Sequence, residues 1–320
     1  MTDSRPLILS CPAPRSLPLI FTPAREAELR ARFRIVETED AALPALPDAV
    51  LAEARYIIGQ PPLDGETLAR LTGLRAIFNV ESNLLNNMPY DEVFRRGIHV
   101  VTTGAVFAQP VAEIGLGFAL SLLRDIHGAD AAFRRGVEKW GGEGNAQARL
   151  LSGADVGIIG FGDLGRAVAR VLAGFQPRLK IHDPWLPPSR IREAGAEPAD
   201  LPALLGGSDV IFCTAAVTSD NRGFLGAAAF AGMRPGAAFI LLSRADVVDF
   251  PALMQAVQSG HIRAASDVFP EEPLPADHPV RGLPGFLLSA HRAGALDVAF
   301  KRMGEMVWED LGLLEQGLPP

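Results

Sequence analysis

The chain has 320 residues, 48 % apolar and 21 % charged, enough to build two hydrophobic cores without disulfide staples. Its formal charge of −7 repels phosphate backbones, and the six scattered histidines and two cysteines lack metal-site spacing, so neither a nucleic-acid partner nor a metal is expected. Cys11 and Cys213 each lie in an apolar run and read as small buried hydrophobes in a reducing compartment, and a cytoplasmic protein is expected.

The apolar stretch Arg5–Phe21 is broken by Pro6, Pro12, Pro14 and Pro18, which suits neither a signal-peptide core nor a span of about 20 apolar residues. Short β-rich runs then alternate with amphipathic segments, the pattern of a parallel sheet covered by helices. Strands are expected at Leu7–Ser10, Arg34–Glu37, Tyr56–Gly59, Ala76–Val80 and His99–Thr102, with helices at Pro23–Phe33, Asp64–Leu71 and Asp91–Arg96. Pro110–Ile126 reads as a long, mostly buried helix, because Glu113 and Arg124 argue against a membrane span. Gly128–Gly153 is small, charged and glycine-rich around Trp140, and a connecting loop or arm is expected there. A second alternating series follows, with strands at Asp155–Gly160, Arg178–His182, Ser208–Thr214, Ala237–Leu242, Ile262–Ser266 and Phe286–Ser289. The helical segment Asp297–Gln316 closes the chain.

The apolar strand Val156–Ile159 runs straight into Gly160-Phe161-Gly162-Asp163-Leu164-Gly165, and a helix through Ala167–Leu172 comes next. A bare G-x-G-x-x-G is weak evidence in a chain with 32 glycines, but strand before, helix after and an acid at the end of the next strand make it specific. Asp183 is that acid, eighteen residues beyond Gly165. Gly160 permits the tight turn, Gly162 leaves room for a pyrophosphate, and Gly165 brings helix and sheet close. The helix start, with the N–H groups around Asp163 and Leu164, offers donors and partial positive charge to phosphates. Asp183 is expected to accept from the ribose hydroxyls and to repel a 2′-phosphate, which selects NAD as the cofactor.

Three polar residues fall just after strands of this second series: Arg244, Glu272 and His291. In open α/β sheets such positions converge on the ligand crevice. Here the chain resembles the D-isomer-specific 2-hydroxyacid dehydrogenase family. Met233-Arg234-Pro235-Gly236 with Ser243-Arg244 is similar to its arginine element, Asp267–Pro273 to its D-V-F-x-x-E-P, and Ala290-His291-Arg292-Ala293-Gly294 to its P-H-x-x-G. The resemblance implies hydride transfer between NAD(H) and a small 2-hydroxy or 2-oxo acid of D configuration. Arg244 would grip the substrate carboxylate, His291 would exchange a proton with the carbonyl oxygen, and Glu272 would orient His291 and favour its charged form. Asp267 would help place the nicotinamide, and Leu242 would line the cofactor.

The first half departs from the family where substrate binds. Val80-Glu81-Ser82-Asn83 stands where a glycine-rich loop usually holds the substrate carboxylate through backbone amides, and Glu81 facing inward would disfavour a simple anion. Ala245 replaces a glycine, Thr214 a frequent histidine, and Arg292 an apolar residue. Gln109-Pro110-Val111-Ala112-Glu113 still resembles the family's S-V-A-E element.

The family's architecture implies two doubly wound parallel-sheet α/β domains, a Rossmann-type NAD domain at 128–292 inserted into a flavodoxin-like substrate domain at 1–127 and 293–320. The active site would lie in the cleft between them. It also implies a homodimer, with the arm around Trp140 and a Phe133–Trp140 stripe as the candidate contact. Two competitors stand beside this reading. One is a non-catalytic NAD-binding redox sensor or regulator on the same fold. The other is an amino-acid dehydrogenase, which would need a cleft lysine that Lys139, Lys180 and Lys301 do not supply.

Overall fold

Residues 3–80, 84, 86–218 and 220–320 are described by a computed structural model. They divide into two compact units, 1–106 with 295–320, and 107–294. In the first unit five parallel strands are described, β1 (Leu7–Cys11), β2 (Arg34–Glu37), β3 (Ala54–Gly59), β4 (Ala76–Asn79) and β5 (His99–Thr102), in the order β2-β1-β3-β4-β5. This is the flavodoxin-like order. The central strands β1 and β4 are buried throughout, which is why LILSC and AIFN read as continuous apolar runs rather than alternating ones.

In the second unit seven parallel strands are described: β6 (Asp155–Ile159), β7 (Arg178–His182), β8 (Glu197–Pro198), β9 (Val210–Cys213), β10 (Ala238–Leu241), β11 (Arg263–Ser266) and β12 (Phe286–Leu288). Their order, β12-β11-β10-β9-β6-β7-β8, is that of a Rossmann sheet with one added edge strand. The strand order reverses between β6 and β9, and their carboxyl ends therefore flank the topological switch point. Residues on one face, including Val156, Ile158, Phe212 and Ile240, pack against two helices, Ala108–Arg124 and Asp163–Leu172. Those on the other, including Ile211, Phe239 and Leu241, pack with Phe230, Leu253 and Val257. Each such fully buried side chain contributes about 1.5–3 kcal/mol of transfer free energy.

Three expectations need correcting. The segment 128–153 is not all loop, because Ile126–Arg134 is a helix and Gly141–Gly144 a further short turn of helix. The long apolar helix runs Ala108–Arg124 and stops at Asp125, whose left-handed φ of 50° ends it. It belongs by packing to the second unit, whose border lies at 106/107, so the expected border near 127 falls one helix later than the packing places it. Its Gly115 sits against Leu242, where an added Cβ would come within 2.6 Å of the leucine Cδ1. Cys11 and Cys213 are buried and free.

Candidate active site

The turn after β6 is built on close backbone approach. Gly160 has φ +87°, and a Cβ there would lie 2.6 Å from the Ala215 Cα at the end of β9. Gly165 is equally obligatory, since its Cβ would meet the Gly160 carbonyl at 2.2 Å. Thr214 locks the turn from the neighbouring strand, its hydroxyl donating to the Gly160 carbonyl at 2.6 Å and the Ile159 carbonyl at 3.1 Å. Nothing lies within 4 Å of a Cβ placed on Gly162, and no side chain among the described residues caps the helix Asp163–Leu172 that starts there. Its first N–H groups, in the Asp163–Leu164 turn, therefore remain donors for an anion.

Asp183 follows β7 and is already engaged. Its Oδ2 accepts from the Phe161 N–H at 2.7 Å and its Oδ1 from the Trp185 N–H at 2.9 Å. The carboxylate thus braces the glycine turn as well as standing beside it, which motif reading did not reveal. Each oxygen keeps a further lone pair for a hydroxyl donor. Open helix start, glycine cradle and half-buried acid fit a dinucleotide. Gly160, Gly162, Asp163, Leu164, Gly165 and Asp183 come together at the switch point, whereas the Leu242 side chain is buried against Gly115 and can offer only its backbone there.

Glu272 and His291 meet on the other side of the strand order. The Glu272 Oε2 lies 2.5 Å from the His291 Nδ1, and its Oε1 accepts from the Phe269 N–H at 2.8 Å. With Nδ1 so occupied, Nε2 is the ring nitrogen left to exchange a proton. The pair is half-exposed, at 45 % for the imidazole and 34 % for the carboxylate. The His291 backbone sits at φ +48°, a left-handed conformation that costs a non-glycine residue about 1–2 kcal/mol.

Asp267 holds it there. This carboxylate is 2 % exposed, and it accepts from the Arg292 N–H at 3.1 Å and the Ala293 N–H at 3.0 Å. The Asp267 carbonyl takes the His291 N–H at 2.7 Å. Asp267 is thus a clamp on the histidine turn, a role with no side-chain signature in the sequence.

Arg244 follows β10 in extended conformation, half-buried, with its Nη1 donating to the Ser243 carbonyl at 2.8 Å. The Ala245 methyl beside it is buried in the core, which accounts for a residue larger than glycine at that position. Arg292 points to the exposed surface. In the first unit, Val80 is 1 % exposed at the end of β4, while Glu81, Ser82 and Asn83 lie outside the described residues.

Comparison with known proteins agrees with this geometry. A profile described as D-isomer specific 2-hydroxyacid dehydrogenase, NAD binding domain, matches residues 116–293. A glyoxylate reductase of Korarchaeum cryptofilum is 31 % identical over 264 residues, covering 81 % of this chain and 79 % of that protein. A D-3-phosphoglycerate dehydrogenase of Mycobacterium tuberculosis is 30 % identical over 279 residues, 87 % of this chain but 51 % of the relative, so the chain spans about half that enzyme's length. A crystal structure described as a phosphoglycerate oxidoreductase from Rhizobium etli superposes with a TM-score of 0.90 at 65 % identity, covering 99 % of this chain and 97 % of that one. The chain therefore belongs to the D-isomer specific 2-hydroxyacid dehydrogenase family, with NAD as its cofactor.

Proposed function

We propose that the protein interconverts a small D-2-hydroxy acid and its 2-oxo acid with NAD(H), and that His291, Glu272 and Arg244 are its catalytic residues. The observation that carries this is the imidazole–carboxylate pair at 2.5 Å, held by a buried clamp on a strained backbone. Bound NADH supplies the hydride for the carbonyl carbon. The chain's own part is electrostatic and protonic. Arg244 grips the substrate carboxylate with its planar fork of donors and polarises the adjacent carbonyl. His291 gives a proton from Nε2 to the carbonyl oxygen, and Glu272 balances the imidazolium charge and fixes the ring plane. Support for an enzyme rather than a regulator comes from this paired acid–base group, which cofactor sensing does not need.

The names of the relatives suggest the first substrates to try. Glyoxylate with NADH and D-3-phosphoglycerate with NAD, followed at the nicotinamide absorbance band, are expected to include one efficient substrate. Absence of turnover across a broad panel of 2-oxo acids would favour a sensor. Asp183→Ala is expected to weaken NADH binding at least tenfold more than NADPH binding, because it removes a ribose acceptor and a charge that repels a 2′-phosphate. Equal losses would leave Asp183 only its bracing of the Phe161 N–H.

We also propose that the chain forms a homodimer through the segment that follows the long helix. Ile126, Phe133, Val137, Trp140 and Leu150 are all more than half exposed, and the Phe133 and Trp140 rings pack together at 6.3 Å. Several large apolar side chains exposed along one segment, two of them in ring contact, suit an association surface. Sedimentation of a Phe133→Asp, Trp140→Asp double variant should show a monomer where the wild type is a dimer.

A further inference from the structure

We infer that the first unit carries a pocket for a small organic polyanion at the amino ends of β3, β4 and β5. Ligands of open α/β sheets sit at the opposite, carboxyl ends, so this pocket is separate from the proposed active site. Backbone pairing sets its cations in one row. The Arg75 N–H donates to the Arg55 carbonyl at 2.8 Å, and the His99 N–H donates to the Arg75 carbonyl at 2.9 Å. Arg55 near the start of β3, Arg75 just before β4 and His99 opening β5 therefore stand side by side, although far apart in sequence. Neighbouring strands lie about 4.8 Å apart, which gives the row a span of about 10 Å. Arg96 precedes β5 and is held in place, its Nη1 donating to the Leu68 carbonyl at 2.5 Å and its Nη2 to the Leu71 carbonyl at 2.6 Å.

The row and the end of the C-terminal helix Asp297–Glu315 line a cavity of about 390 Å³. Arg75, Arg96 and His99 give it a cationic lining, and Leu74, Leu314 and Leu318 an apolar one. The charge is not balanced. Among the described residues, Glu315 is the only acid in an ion pair with this row, and its Oε1 stands 3.9 Å from both Arg55 and Arg75. Its shorter bond is to the Tyr56 hydroxyl, which donates to it at 2.6 Å. The exposed His99 side chain has no hydrogen-bond or ion-pair partner among the described residues. In a chain of net charge −7, three arginines and a histidine thus gather around one carboxylate. Guanidinium forks match carboxylate and phosphate oxygens in pairs, while the leucines suit a hydrocarbon body. Salt screens exposed cations, so a single anionic group would be held weakly and several are needed. A short carbon skeleton bearing two or more anionic groups meets both kinds of lining. Bound there, it ties Leu318, beyond the last helix, to the sheet of the same unit.

The test is isothermal titration calorimetry of the full chain with citrate and, separately, with inorganic phosphate, at neutral pH and fixed ionic strength. Citrate is expected to bind at one site per chain with a Kd below about 1 mM. At tenfold excess over Kd it should raise the melting temperature by about 3 °C or more. Inorganic phosphate has no carbon body to bury and should bind about tenfold more weakly. The double variant Arg75→Gln, His99→Gln loses a cation and a donor and should weaken citrate by about tenfold or more. If it does not fold, His99→Gln alone decides the matter, with an expected loss of about threefold. Arg244→Ala should leave citrate affinity unchanged. The inference is overturned by an absence of citrate binding, by phosphate binding as tightly as citrate, by an affinity indifferent to the changes at 75 and 99, or by binding abolished in Arg244→Ala.

Discussion

His291→Asn is expected to lower kcat/KM by about 10²–10⁴ while NADH affinity stays within twofold of wild type, in line with the loss of a general acid. Asparagine is the informative replacement. It tolerates the left-handed backbone that His291 adopts at φ +48°, so the turn survives while the imidazole is lost. Alanine would mix the chemical loss with backbone strain. Glu272→Gln should cost less, because an amide oxygen can still accept from the Phe269 N–H and only the charge that balances the imidazolium disappears. Stopped-flow reduction of a 2-oxo acid checks both, and an unchanged rate in the asparagine variant would remove His291 from the chemistry.

Asp267→Ala is expected to have the second-largest effect, and on two observables at once. It leaves the buried Ala293 N–H and the part-buried Arg292 N–H without their acceptor, at about 1–3 kcal/mol for a buried orphaned donor and less for the other. A loss of a few kcal/mol in a unit of this size lowers the melting temperature by about 5–10 °C. The same two bonds hold the turn that carries His291, so kcat should also fall by about 10–100-fold. Calorimetry together with kinetics separates the two parts. A lower melting temperature with an intact kcat would make the clamp purely structural and return Asp267 to the cofactor-placing role that the family resemblance implies.

Much of the fold was readable because short β-rich runs alternate along the chain with amphipathic segments. Arg34–Glu37, His99–Thr102 and Arg178–His182 begin and end where the sequence pattern places them. Strand β8 was not readable, being two residues long and including Pro198. The helix Ile126–Arg134 was hidden because its apolar side chains Ile126 and Phe133 face outward, so nothing in one chain's core requires the pattern to be helical. At the site, the glycine turn and the acid after β7 could be found because their chemistry needs particular residue types at particular spacing. The contacts that brace them could not. The Asp183 bond to the Phe161 N–H and the Asp267 bonds to two peptide N–H groups end on backbone, which carries no sequence signal.

The most direct measurement is a crystal structure with NAD and an unreactive 2-oxo acid analogue such as oxamate. The account predicts the His291 Nε2 within about 2.6–3.2 Å of the analogue's carbonyl oxygen and the Arg244 guanidinium on its carboxylate. An analogue bound with that oxygen away from His291, or with its carboxylate on another cation, would contradict it.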